Sequence, residues 1–134
     1  MKRPIVLASA IAATAFLTLT ACGNAANGKE ASITASPISP SQILPRPSGA
    51  VINVSITKSV ATSDHSTLAV KVNEPVTLFI NAAAAGELHV HSTPEKHIVF
   101  PVGLSKVTLT FDVPGTVVIE DHALDKQVTQ VQVN

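Results

Sequence analysis

Asn73-Glu74-Pro75-Val76-Thr77-Leu78-Phe79-Ile80-Asn81 is the stretch that decides the fold class. Asn-Glu-Pro is turn chemistry, and Pro75, with its fixed dihedral and missing N–H, ends one ladder before the next begins. Beyond it Val76, Leu78 and Ile80 alternate with Thr77, Phe79 and Asn81, the two-residue period of a strand. Upstream, Leu68, Val70 and Val72 alternate with Ala69 and Lys71, and Ile52, Val54 and Ile56 alternate with Val51, Asn53 and Ser55. Three strands are therefore expected before residue 82.

Downstream the same period continues. Ala82 to Ala85, closed by Gly86, has helix propensity but is too short for a helix, so it is read as a connection with room for one turn. Strands are expected at Glu87–His91, Ile98–Val102, Val107–Phe111, Thr116–Glu120 and Val128–Val133, separated by turns at Ser92–Lys96 and Val113-Pro114-Gly115. Valine, isoleucine and threonine dominate, as a pleated half-buried surface prefers. The expectation is an all-β domain over residues 50–134, an antiparallel Greek-key β-sandwich.

Preceding that domain, residues 22–49 are rich in Ala, Ser, Asn and Pro, with Pro37, Pro40, Pro45 and Pro47 closely spaced. Such a segment is read as a disordered tether, stiffer in its Pro-rich half. Residues 1–21 read as a secretory signal: Lys2 and Arg3, an apolar run from Ile5 to Leu19, then small residues. The run is short for a bilayer span, which takes about 20 residues.

Leu19-Thr20-Ala21-Cys22-Gly23 resembles the lipobox of bacterial lipoproteins, in which the cysteine becomes the lipid-bearing first residue. Cys22 is the only cysteine of the chain, so no internal disulfide can form. The resemblance implies an acylated (palmitate-bearing) lipoprotein held on the extracytoplasmic face of the cell membrane by its lipid, with no spanning helix.

Removal of the signal takes Lys2 and Arg3 and no acid, leaving seven basic against nine acidic residues. The mature chain is slightly acidic, lacks Trp and Tyr, and has no basic cluster, which argues against a nucleic-acid partner.

Glu87-Leu88-His89-Val90-His91 carries the chemistry. In a strand Leu88 and Val90 share one face while Glu87, His89 and His91 share the other, so two imidazoles stand side by side. Neutral imidazole is the commonest protein metal ligand. His91 is followed by a turn which, as a four-residue hairpin over 93–96, sets Ser92 opposite His97 and puts His97 on the row away from the site. His65 lies in the polar turn Thr62-Ser63-Asp64-His65-Ser66 and is read as solvated.

The order of features resembles the cupredoxin fold over most of residues 50–134: Asn73 to Asn81, a loop, the His-bearing strand, a strand rich in Thr and Leu, Val113-Pro114-Gly115-Thr116, a strand ending near His122, and a closing Val131-Gln132-Val133. Glu87-Leu88-His89-Val90-His91 with Val113-Pro114-Gly115 is also similar to cupredoxin-like lipoproteins of actinobacteria. The resemblance implies a first ligand at His89 or His91 and a further one at His122, with Asp121 standing where a cupredoxin places its copper-binding Cys. No Cys or Met follows Cys22, so a blue-copper centre, which needs a thiolate, cannot be built.

The expected site is therefore His89, His91 and His122, with Glu87, Asp121, Glu120 and His97 as weaker candidates, holding copper or zinc as Cu(II) or Zn(II) through nitrogen and oxygen. The alternative is a cell-surface protein-interaction module whose histidines bind no metal. An enzyme is not expected: Gly-rich phosphate loop, nucleophile elbow and His-Glu-x-x-His helix are all missing.

Overall fold

The alternating residues sort into two packed sheets in a computed structural model that describes residues 30–43 and 46–134. Eleven strands run in chain order: β1 (Ala31–Thr34), β2 (Ser36–Pro37), β3 (Ala50–Ile56), β4 (Ala61–Ser63), β5 (Thr67–Val70), β6 (Val76–Ala82), β7 (Gly86–Val90), β8 (Lys96–Phe100), β9 (Gly103–Leu109), β10 (Gly115–Asp121) and β11 (Lys126–Val133). One sheet has the order β1-β8-β7-β10-β11-β5, the other β2-β9-β6-β3-β4. A single 3-10 turn, Pro40–Ile43, separates β2 from β3.

The inner faces supply the core. Ile52, Leu78, Ile80, Leu88, Val90, Ile98, Ile119 and Val131 are fully buried between the sheets. Central β6 is buried at five successive positions, Val76 to Ile80, because its outer face is covered too. There Thr77 and Thr108 pair their hydroxyls across to β9 at 3.1 Å. Gly86 opens β7 where a Cβ would stand 2.7 Å from Phe100 Cζ, so the absent side chain lets that ring fill the core.

The sheets are mixed, and here the antiparallel expectation is corrected. β1 pairs parallel with β8, β5 with β11, and β3 with β6. A parallel pair needs a crossover, and the chain makes it by changing sheets. The turn at 73–75 is such a change: it carries the chain from β5 in one sheet to β6 in the other, where a hairpin would have kept both in one. Asn73 takes the left-handed conformation (φ 63°), which asparagine tolerates. Ala83 to Ala85 form a bend with no helical turn.

The domain also begins earlier than residue 50. β1 lies beside β8 and β2 beside β9, so residues expected in the tether border both sheets. Ala35, between the two strands, is fully buried where the chain passes from one layer to the other. Pro37 is accommodated because β2 is an edge strand. The signal segment and Cys22 lie outside the described residues. No helix among the described residues is long and apolar enough to cross a membrane.

Candidate metal centre

Strand parity places the histidines. Leu88 and Val90 face the core, so His89 and His91 project from the outer face of the six-stranded sheet. β7 lies between β10 and β8, and His89 is opposite Glu120 on one side and His97 on the other. One row across the sheet therefore reads Glu120, His89, His97 and then Ser32 of β1. Two residues on, just past the ends of β7 and β10, His91 and His122 flank this row.

Three imidazoles converge. His89, His91 and His122 each offer one ring nitrogen within 4.8 Å of the others. His89 Nδ1 is 2.7 Å from His122 Nε2. His91 Nε2–H donates to Glu120 Oε2 at 2.9 Å, and the same oxygen lies 3.9 Å from His122 Nε2. That bond, offset in part by desolvation, holds the Glu120 carboxyl below its ordinary value. His89, with a side chain only 11% exposed, is the anchored member; His122, at 64%, is the free one.

A carboxylate orients His89. Its Nε2–H donates to Glu95 Oε2 at 3.2 Å, which leaves the Nδ1 lone pair directed at His122. Carboxylate–histidine pairs of this kind fix the tautomer and ring plane of metal-ligating histidines. An ion with nitrogens at about 2.0–2.1 Å draws them to within roughly 3.5 Å of each other, so the outer rings would need to close by about an ångström. Their exposure allows it.

The weaker candidates separate. Glu87 is on the histidine face, as its parity requires, but it accepts from His97 Nδ1 at 2.7 Å and is not among the residues that converge with the triad. Glu87 holds His97 above the ordinary imidazole range, against the opposing pull of desolvation. His97 itself is a correction. It lies on the row of His89, its ring stacked on that of His89 with centroids 4.5 Å apart and planes 12° apart. The connection spans residues 91–95, one residue more than a four-residue hairpin, and one residue of register moves a side chain to the other face.

Asp121 is the other correction. It shares parity with Val117 and Ile119, is 3% exposed, and faces inward. Its Oδ1 accepts from Leu124 N at 3.1 Å and caps the β10–β11 turn, so it is not directed at the triad. A register shift between Ile119 and Glu120 accompanies this end of β10. The alternation of Val117, Ile119 and Asp121 was the signal in the sequence for its inward placement. Glu95 and Glu30 were not singled out: one reads as turn, the other lies in the segment taken for a tether. His65 is not among the converging residues and pairs with Asp64 at 2.8 Å.

No protein-family model matches the chain, and no curated protein matches it in sequence. Solved structures do. A methionine-to-alanine mutant of amicyanin in its Cu(I) form has a TM-score of 0.54 at 19% identity, covering 74% of this chain and 92% of that one. A multicopper oxidase has a TM-score of 0.50 at 15% identity, over 66% of this chain and 45% of that one. The purple cupredoxin of Nitrosopumilus maritimus has a TM-score of 0.49 at 15% identity, over 63% of this chain and 99% of that one. The amicyanin likeness shows the fold: this is a cupredoxin-like β-sandwich.

The fold likeness does not extend to a blue-copper donor set. Cys22 and Met1 are the only sulfur residues of the chain, and the sandwich over 30–134 offers neither thiolate nor thioether. The donors present are imidazole nitrogens and carboxylate oxygens on an outer sheet face. Those fit Cu(II) or Zn(II).

Proposed function

We propose that this domain binds Cu(II) or Zn(II) through His89, His91 and His122, with Glu120 as an oxygen donor, and that it does so as a lipoprotein anchored through Cys22 on the extracytoplasmic side of a membrane. The observation that carries the reading is the convergence of three imidazoles whose ring nitrogens contact carboxylates and one another, with no backbone carbonyl among their partners. Histidines that merely stabilise a loop bond to its backbone; these rings turn their nitrogens to one another and to carboxylates instead.

An ion at this site would supply Lewis acidity and charge, and the protein's part is to position the rings. His91 Nε2–H and the proton between His89 and His122 stand where the ion must go, so on binding those protons move to the far ring nitrogens, and protons compete with the ion for the rings as pH falls. Without a thiolate or thioether, easy cycling between copper states is not expected, which favours capture, delivery or sensing of the ion over electron transfer.

The test is calorimetric titration of the untagged protein with Cu(II) and with Zn(II). Stoichiometric binding that disappears in His89→Ala/His91→Ala is expected. Heats equal to those of that variant would overturn the reading and leave a cell-surface interaction module.

A further inference from the structure

We propose that the same face holds a second divalent cation, beside the first, between His97 Nε2 and the Glu30 carboxylate. Three observations lead there. His97 Nδ1–H donates to Glu87, so the neutral ring carries its lone pair on Nε2, as the bond to Glu95 leaves that of His89 on Nδ1. His97 Nε2 is closed off from solvent and has no hydrogen-bond partner, yet Glu30 Oε2 lies only 3.4 Å away. Two donors on one ion at about 2.0–2.1 Å are separated by roughly that distance.

The second observation is room. An open depression of about 320 Å³ lined by Glu30, Ser92, Thr93, Pro94 and Glu95 lies on the Glu30 side of this pair, with His97 outside its walls. Ala31 N–H donates to the Glu95 carbonyl at 2.9 Å, which holds Glu30 against the loop that carries Glu95. An ion there would complete its coordination with water, and it would be held less tightly than one bound by three imidazoles.

Charge is the third. Glu30, Glu87, Glu95 and Glu120 all lie on this face, four of the nine acids of the chain. Among the described residues, every ion pair within 4 Å joins a carboxylate to a histidine, and none involves Lys or Arg. Lys96, which borders the depression's loop, instead donates to Ser92 and lies over the Phe111 ring. The carboxylates are thus left without permanent cationic partners, the condition that favours a divalent ion.

The experiment is equilibrium dialysis of the full chain against Zn(II), with bound metal counted per chain. Two ions are expected for the unaltered protein, the second weaker. Glu30→Gln, an exposed change ahead of β1, should weaken the second by at least ten-fold and leave the first; His97→Ala should lose the second and also loosen the first, because its ring stacks on His89. His91→Ala/His122→Ala should lose the first and retain the second. A single ion that responds to His91 and His122 but not to Glu30 overturns this inference and leaves the triad site standing. A single ion with the opposite response upholds it and overturns the triad site.

Discussion

His89 and His97 are direct cross-strand partners on β7 and β8, with ring planes 12° apart and centroids at 4.5 Å. Each is also bonded at one nitrogen to a carboxylate, His89 to Glu95 and His97 to Glu87. The central ligand of the triad is thus held from two sides, by stacking and by a hydrogen bond, before any ion arrives.

Glu95→Ala is therefore expected to weaken metal binding although Glu95 is not assigned as a ligand. Loss of an orienting carboxylate typically costs about 10–100-fold in affinity. Glu95→Gln keeps an acceptor for His89 Nε2–H and should recover part of the loss. Competition titration against a chelator of known affinity reads both; an unchanged affinity in Glu95→Ala would show that the bond does not preset the ring.

Gly86→Ala should destabilise the sandwich. The new Cβ would meet Phe100 Cζ at 2.7 Å, and Phe100 is only 2% exposed, so the ring has little room to retreat. Overpacking of this sort costs about 1–3 kcal/mol. Urea unfolding measures it, and a Phe100→Leu change in the same chain should restore part of the loss.

A chain shortened to begin at residue 50 should be less stable than one beginning at residue 30. It loses β1 and β2 and uncovers the core where Ala35 is fully buried and Ile33 is packed. Burying an isoleucine stabilises by about 1.5–3 kcal/mol, so a loss of about 2 kcal/mol is expected for this partly buried segment. In a domain of this size that is about 10 °C in melting temperature. Equal melting temperatures would mean that the first two strands merely rest on the sheets.

Asp64→Asn should lower stability near neutral pH and matter less in acid. Burial alone would raise the Asp64 carboxyl, but hydrogen bonds from Asn53 and His65 outweigh it and hold the group below its ordinary value of 3.8. A carboxyl depressed in the folded state stabilises above its unfolded value, and that contribution is lost as pH falls through the folded one. The Asn53 side chain and backbone donate at 2.6 and 2.8 Å, but the carboxylate is 38% exposed, so about 0.5–1 kcal/mol is expected. The difference between the two proteins should shrink below about pH 4; a gap that persists at pH 2.5 would assign the effect to packing.

Strand parity was legible because it is local. Val76, Leu78 and Ile80, or Leu88 and Val90, announce their buried faces within a few residues, and from them follow the sandwich and the outward placement of Glu87, His89 and His91. The pairing of β7 with β10, which brings His122 within 2.7 Å of His89, was accessible only through the resemblance to a known fold. Composition and parity carry no information about which strands become neighbours.

Tertiary structure alone decided the rest. The face of His97 depends on the length of the connection over 91–95, where one residue of register reverses every side chain beyond it. β1 and β2 have too few apolar residues to declare themselves, and they are strands because β8 and β9 offer them unpaired edges. Glu30 reaches the histidine face only through that pairing. The sequence by itself determined a β-sandwich with imidazoles on one strand and no sulfur donors for copper. Long-range pairing, which no local pattern encodes, gathered four histidines and four glutamates onto one surface.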